Sequence, residues 1–149
     1  MEYLFNNQVA DNLIARINRL SPGSKPLWGK MTVTQMLAHC QVPMQVALGE
    51  RKLKRHLLGV LFGPLAKKTV ISDKPFKRGL PTDPSFVVKV TGDFDQEKAK
   101  LIALIQKFNT GKEGALTRDP HPFFGRLTAQ EWNKSQWKHI EHHLQQFGV

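Results

Sequence analysis

Two histidines near the end of the chain, His139 and His143, lie four residues apart in a stretch that reads WKHIEHHLQQFG. In an α-helix, side chains with this spacing share one face, with about 5 to 6 Å between their Cβ atoms. Imidazole is a common ligand of zinc and other divalent metals, and two rings so placed could reach one ion. The pair indicates a candidate metal site, which would need a third donor from elsewhere in the chain.

The helical phase of this segment separates its histidines. At 100° per residue, Ile140 and Leu144 belong to an apolar stripe, with His143 on its flank and His139 slightly further round. His142 points roughly the opposite way, so we expect it to face solvent. The phase therefore favours His139 and His143 as ligands over His142.

His39 is the best candidate for the third donor. It falls near the middle of a second predicted helix, on the flank of an apolar stripe that includes Met36 and Cys40. From that position its ring could face a neighbouring helix. His56 and His121 lie in a basic stretch and in a loop, respectively, and are worse placed.

Apolar residues at helical spacing predict four amphipathic helices. These cover residues 9–20, 32–47, 95–110 and 128–147. Thr32 with Gln35, and Thr128 with Glu131, have the capping-box spacing that marks a helix start. Asp95 is the expected cap of the third helix. The pattern predicts an all-α four-helix bundle formed by a single domain, residues 1–149.

A long irregular connection is expected between the second and third of these helices. Within it, Leu57 and Leu61 suggest a short helix that Gly63 and Pro64 break. Residues 74–84, rich in proline and glycine, predict a loop, and the alternating apolar residues of 86–90 predict an extended crossover.

The composition is that of an ordinary globular protein. The chain has 149 residues, of which 40% are hydrophobic and 9% aromatic. It starts without the basic and apolar segments of a secretory signal, and no apolar run approaches the roughly 20 residues of a membrane span. We therefore expect a cytoplasmic protein, and its single cysteine, Cys40, fits a reducing compartment.

The chain is strongly basic, with a formal net charge of +10. Residues 51–80 contain nine lysines and arginines against Asp73 alone, so much of the excess is local. Such a patch could attract a small anionic substrate, nucleic acid or a membrane surface, and it could equally be a solvated basic face. The candidate anion-binding side chains are Arg51, Lys54, Arg55, Lys67 and Lys68.

Several blocks in order carry a family resemblance: WGKMTVTQMLAHC ending just after His39, then KPFKRGLPT, then HPFFGRLT, and finally His-x-x-x-His-x-x-Gln over His139, His143 and Gln146. Together they resemble the DinB/YfiT-like superfamily of small metal-binding four-helix proteins, in particular an uncharacterised branch known as a domain of unknown function. The resemblance covers most of the chain.

The resemblance implies an up-down-down-up bundle in which His39, His139 and His143 bind a divalent metal. Zinc or nickel is implied first, with iron or manganese as alternatives. Characterised members of the superfamily include transferases and isomerases that use low-molecular-weight thiols, and relatives often form homodimers. Other members have no established activity, so the fold alone does not define the reaction.

Three further residues are candidates for supporting roles around the site. Gln146 could orient a histidine or a water molecule. Trp132 is a candidate for the core or a pocket wall. Cys40 lies in the apolar stripe of the second helix, which favours a buried core residue over a ligand.

These observations lead to two alternative hypotheses about the function of the protein. The first is a metal-dependent enzyme, such as a thiol-dependent transferase, acting on a small anionic substrate; no general acid or base is identifiable. The second is a noncatalytic binding module whose basic segment 51–80 engages nucleic acid or an anionic membrane. In the second, Leu57, Val60, Leu61 and Phe62 would contact the membrane surface.

Overall fold

The computed structural model describes residues 3–55, 57–80, 84–89 and 91–149, and within these ranges it is all-helical without β-strands. The α-helices are α1 (Asn7–Asn18), α2 (Val33–Ala47), α3 (Leu57–Ile71), α4 (Phe94–Gly111) and α5 (Ala129–Gln146). Short 3₁₀ segments cover Tyr3–Phe5, Pro84–Phe86 and Lys112–Ala115. No helix in the described part of the chain is long and apolar enough to cross a membrane.

Both predicted capping boxes are present. The Thr32 hydroxyl accepts from the backbone N–H of Gln35, whose side chain accepts in return, and Thr128 and Glu131 repeat the arrangement at α5. The cap predicted for α4 is wrong by two residues. Asp93, rather than Asp95, accepts from the Gln96 N–H at 2.9 Å, because the helix already begins at the buried Phe94.

The hydrophobic core lies between α1, α2, α4 and α5. Helix α2 packs against α4 and α5, and α1 also contacts both of those helices. The largest fully buried core side chains include Leu13, Ile17, Leu37, Met44, Ile105, Phe108, Trp132 and Leu144. This packing brings the middle of α2 next to α5, where the predicted ligands lie.

The prediction for α3 requires correction. It is one helix of 15 residues that continues through Gly63 and Pro64. Gly63 is needed for packing: a Cβ atom there would lie 2.1 Å from the Phe123 carbonyl oxygen, and one at Gly59 would lie 2.9 Å from the Phe123 Cα. The two glycines let α3 lie directly on the backbone of the HPFFG loop.

Lys138 of α5 holds the other end of α3. Its buried ammonium donates to the carbonyls of Thr69 and Ser72, each at 2.9 Å, and to that of Val70 at 3.3 Å. Carbonyls at a helix C-terminus lack partners within the helix and carry partial negative charge. Lys138 therefore stabilises the end of α3 and fixes it against α5.

Residues 87–89, part of the predicted extended crossover, have no regular secondary structure. The 3₁₀ turn Pro84–Phe86 occupies the start of this segment. Val90, also assigned to the crossover, and His56 lie outside the described residues.

Candidate metal centre

Three histidines from two helices converge between α2 and α5. His39 comes from the middle of α2, and His139 and His143 lie one turn apart on α5. Their ring centroids are 4.7 to 4.8 Å apart, and one possible ligand atom from each lies within 4.8 Å of the others. The two Nε2 atoms of His39 and His139 are separated by 3.0 Å.

The His39 ring is oriented by a backbone carbonyl. Its Nδ1 lies 2.9 Å from the carbonyl oxygen of Phe86, which can only accept, so Nδ1 carries the proton in this contact. Nε2 is then left as a lone-pair donor facing the cluster. The Phe86 ring stacks on His121 with 5.9 Å between centroids, which ties this carbonyl to the HPFFG loop.

His143 is oriented through a chain of two hydrogen bonds. Its Nδ1 lies 2.8 Å from Oε1 of the buried Gln146, whose Nε2 donates to the Trp28 carbonyl at 2.8 Å. Since the carbonyl can only accept, the amide is oriented with its oxygen toward His143. Nδ1 therefore carries the proton and Nε2 is free to bind a metal, as is usual for metal-binding histidines.

Gly29 makes room for this amide. A Cβ atom on Gly29 would lie 2.7 Å from Nε2 of Gln146, and the residue has a φ of +81°. Both the close approach and the left-handed backbone favour glycine. The WG dipeptide of the resemblance thus has a physical role beside the site.

Outside the cluster, the ring of His139 has fewer hydrogen bonds than those of His39 and His143. Its Nδ1 is buried and has no hydrogen-bond partner among the described residues, and the same is true of Oε1 of the buried Gln136, three positions earlier on α5. An unpaired buried ring nitrogen is unfavourable, and no hydrogen bond at Nδ1 orients this ring in the way that those of His39 and His143 are oriented.

The donor set fits a divalent transition metal. Zinc binds imidazole nitrogen at about 2.0 to 2.1 Å, so two ligands of one tetrahedral ion lie about 3.3 Å apart. The Nε2 atoms of His39 and His139, 3.0 Å apart, are close to that value. The ligand atoms that lie farthest apart in the cluster, within 4.8 Å of each other, would need to approach by about 1.5 Å.

All three rings favour the neutral form that metals bind. Burial lowers the pKa of His143 to about 4, despite the opposing hydrogen bond to Gln146. Burial also lowers the pKa of His39 and, together with the neighbouring histidines, holds the pKa of His139 well below its usual value. Protons therefore compete weakly for these nitrogens at neutral pH.

His142 is outside the cluster of potential ligands, but the expectation that it faces solvent is wrong. Its ring is partly buried because Trp28 and Phe76 pack against it, with centroid distances of 5.7 and 5.8 Å. The Arg78 guanidinium lies over the Trp28 ring at 4.2 Å, and its charge adds to burial in lowering the pKa of His142. Trp28 and Phe76 thus cover this side of α5.

The other predicted site residues have distinct environments. Gln146 contacts a histidine of the cluster directly. Cys40 is fully buried in the core, where burial raises its thiol pKa, and its Sγ lies 3.8 Å from the Met36 sulfur. Trp132 is also in the core, with its ring 5.4 Å from His121.

The basic patch divides into free and paired cations. Arg51, Lys54, Arg55 and Lys68 are exposed, without an ion pair to any described carboxylate. Lys67 is partly buried and pairs with Glu131 at 2.8 Å. No contact in the described structure joins these five side chains to the histidines, so their role toward a substrate stays a prediction.

A solvent-open depression of about 390 Å³ lies away from the histidines. It is lined by Phe5, Asn6, Asn7, Gln8 and Lys112. Because it contains no residue of the cluster, its volume is no guide to the chemistry there.

Two contributors to the site are backbone carbonyls that sequence analysis missed. The oxygens of Phe86 and Trp28 orient His39 and, through Gln146, His143. Every residue has a carbonyl, so no residue type marks these two. Only the nearby Gly29, conspicuous in the WGKMT block, is a sequence signal of close backbone approach.

The fold and the cluster define a small all-helical protein with three convergent histidines. Residues 4–148 match the model of a family of proteins of unknown function, DUF1569, and the chain belongs to this family. No curated protein and no solved structure shows significant similarity to the chain.

Proposed function

We propose that this protein binds a divalent metal ion through His39, His139 and His143. The observation that carries the proposal is the convergence of three imidazoles from two helices, two of which are held with Nε2 toward the cluster. Burial supports it, because buried rings with lowered pKa values remain neutral at physiological pH. Zinc or nickel suits an all-imidazole donor set, with iron or manganese as alternatives.

We further infer a DinB/YfiT-like architecture. In this interpretation α1, α2, α4 and α5 form an up-down-down-up bundle, and α3 belongs to the long connection between its second and third helices. The shared core of these four helices and the histidine placement support the assignment. A homodimer and a cytoplasmic location remain predictions from the sequence.

The activity that we propose is that of a metal-dependent enzyme, such as a transferase, acting on a low-molecular-weight thiol or another small anion. A divalent ion held by three neutral imidazoles would retain its full charge and act as a Lewis acid toward a ligand in its open coordination position. The chain's own part is to hold the imidazoles neutral and oriented. Arg78, stacked on Trp28 beside His142, offers a positive charge for a carboxylate on the substrate.

Elemental analysis tests metal binding directly. The protein is purified without a nickel affinity step, and its metal content is compared with those of the His39→Ala, His143→Ala and His142→Ala variants. We expect stoichiometric metal in the wild type and in His142→Ala, and loss in the other two. His142 is a matched control because it neighbours His143 on the same helix. Equal metal content in all four proteins would refute the assignment.

Cobalt substitution tests the enzymatic part separately. If a small thiol enters the open position, its addition to the cobalt protein should produce a sulfur-to-cobalt charge-transfer band, and Arg78→Gln should weaken binding of carboxylated thiols more than that of uncharged ones. A cobalt spectrum that no thiol changes would exclude the thiol-dependent reaction while leaving metal binding intact.

A further inference from the structure

Helix α3 presents an apolar side to solvent. Leu57, Leu61 and Leu65, each four residues apart, are 88%, 71% and 69% exposed, and Val60 and Phe62 beside them are more than half exposed. Residues with this spacing lie along one side of a helix. Soluble proteins rarely leave such a continuous apolar stripe uncovered without an interaction partner.

The orientation of α3 is fixed by the packing of its opposite side. Gly59 and Gly63 rest on the backbone of Phe123, and Lys138 binds the carbonyls at the end of the helix. The leucines therefore cannot turn inward without breaking these contacts. Their exposure follows from how α3 is attached to the protein.

Unpaired cations border the apolar stripe at both ends. Lys54 and Arg55 lie within three residues of the start of α3, with the Arg55 guanidinium beside Gly125 of the HPFFG loop, and Lys68 follows Leu61 by two helical turns, which places it on the same side as the leucines. All three are exposed without an ion pair in the described structure. The acidic residues that flank α3 in the sequence are already paired: Glu50 with Lys107 and Asp73 with Lys134.

We propose that this side of α3 docks onto an anionic lipid surface. The leucines would enter the interfacial region of the bilayer, and Lys54 and Lys68 would contact acidic headgroups. Charge complementarity and the apolar stripe together favour an anionic lipid surface over a second copy of the chain or nucleic acid. A second copy of the chain would bring another net charge of +10 against the same cations, and nucleic acid offers no apolar partner for the leucines. The proposal rests on α3 and the cations at its two ends, and it is independent of metal binding.

Vesicle cosedimentation tests it with the full-length protein. Vesicles of phosphatidylcholine with one-third phosphatidylglycerol are compared with vesicles of phosphatidylcholine alone. We expect binding to the anionic vesicles that weakens with added salt, and little binding to the neutral ones. Replacing Leu57 and Leu61 together by asparagine should weaken binding by about tenfold or more, because the apolar contribution is lost while the charge is unchanged. Leu27→Asn is the matched control, since Leu27 is also 69% exposed but lies outside α3.

The contribution of charge is tested in the same assay. Lys54→Gln and Lys68→Gln should each weaken binding by about fivefold. The paired variant Arg19→Gln/Lys25→Gln removes two exposed charges away from α3 and should have a smaller effect. Far-ultraviolet circular dichroism and the content of any bound metal show whether each variant retains its fold.

Three results would overturn the proposal. The first is no binding to anionic vesicles at low salt. The second is undiminished binding by the Leu57→Asn/Leu61→Asn variant, which would indicate a purely electrostatic attraction. The third is a lipid-free dimer that this same variant converts to a monomer, which would identify a second copy of the chain as the occupant of the face.

Discussion

Replacement of Gln146 by leucine should weaken metal binding without removing a ligand. Gln146 accepts from Nδ1 of His143 and donates to the carbonyl of Trp28, with both distances 2.8 Å. Leucine has a similar volume and can do neither. In the Gln146→Leu variant, nothing fixes which nitrogen of His143 carries the proton or how its ring is turned.

The size of the effect follows from the buried polar groups. Loss of a partner that orients a metal-binding histidine typically costs 10- to 100-fold in metal affinity, which corresponds to about 1.4 to 2.7 kcal/mol. The variant also leaves the buried Nδ1–H of His143 without an acceptor, which costs about 1 to 3 kcal/mol in the free energy of unfolding. The Trp28 carbonyl is only partly buried, so we expect a smaller loss there.

Competition with a zinc-chelating dye measures the dissociation constant at a temperature well below unfolding. Gln145→Leu is the matched control, because Gln145 is adjacent, exposed and bonded to Glu141 rather than to a histidine. Gln146→Glu should recover most of the affinity, since a carboxylate can accept from His143 although it cannot donate to Trp28. A merely structural role for Gln146 would lower stability without this recovery of affinity.

Equal metal affinity in Gln146→Leu and Gln145→Leu would refute the reasoning. It would mean that the orientation of His143 does not depend on the amide, despite the short contact between them. Loss of affinity in Gln146→Glu as large as in Gln146→Leu would also contradict the assigned hydrogen-bond direction.

Three further predictions concern the metal-free protein. Burial lowers the pKa of His143 from 6.5 to about 4, so between these pH values only the unfolded chain binds the proton. As the pH drops through this window, His143 should therefore lower the free energy of unfolding by about 3 kcal/mol. Urea titrations at several pH values should show that the His143→Gln variant lacks this part of the pH dependence. Gly63→Ala places a Cβ atom against the Phe123 carbonyl, so its melting temperature should fall by several degrees, whereas Gly114→Ala, with open space around the new atom, should change little. Lys138→Met removes the donor to three carbonyls at the end of α3. Relative to the wild type, amide hydrogen exchange should become faster in α3 and change less in α4.

Local sequence patterns predicted α2 and α5 well because their starts depend on neighbouring residues. Thr32 with Gln35, and Thr128 with Glu131, satisfy backbone N–H groups within one turn. Such a capping box does not depend on how the helix packs against the rest of the protein. The cap of α4 and the course of α3 were predicted wrongly because both depend on distant contacts. Phe94 starts α4 by entering the core, and α3 continues through Pro64 while its glycine side rests on the HPFFG loop.

The sequence by itself determined the spacing of His139 and His143, since the geometry of one helix turn is local. It also suggested His39, whose phase on α2 is local as well. Only the tertiary structure decided that the three rings meet, that the carbonyls of Phe86 and Trp28 orient two of them, and that Trp28 and Phe76 cover His142. The physical reason is that these contacts join residues 47 to more than 100 positions apart, and their geometry depends on how whole helices and loops pack rather than on residue type.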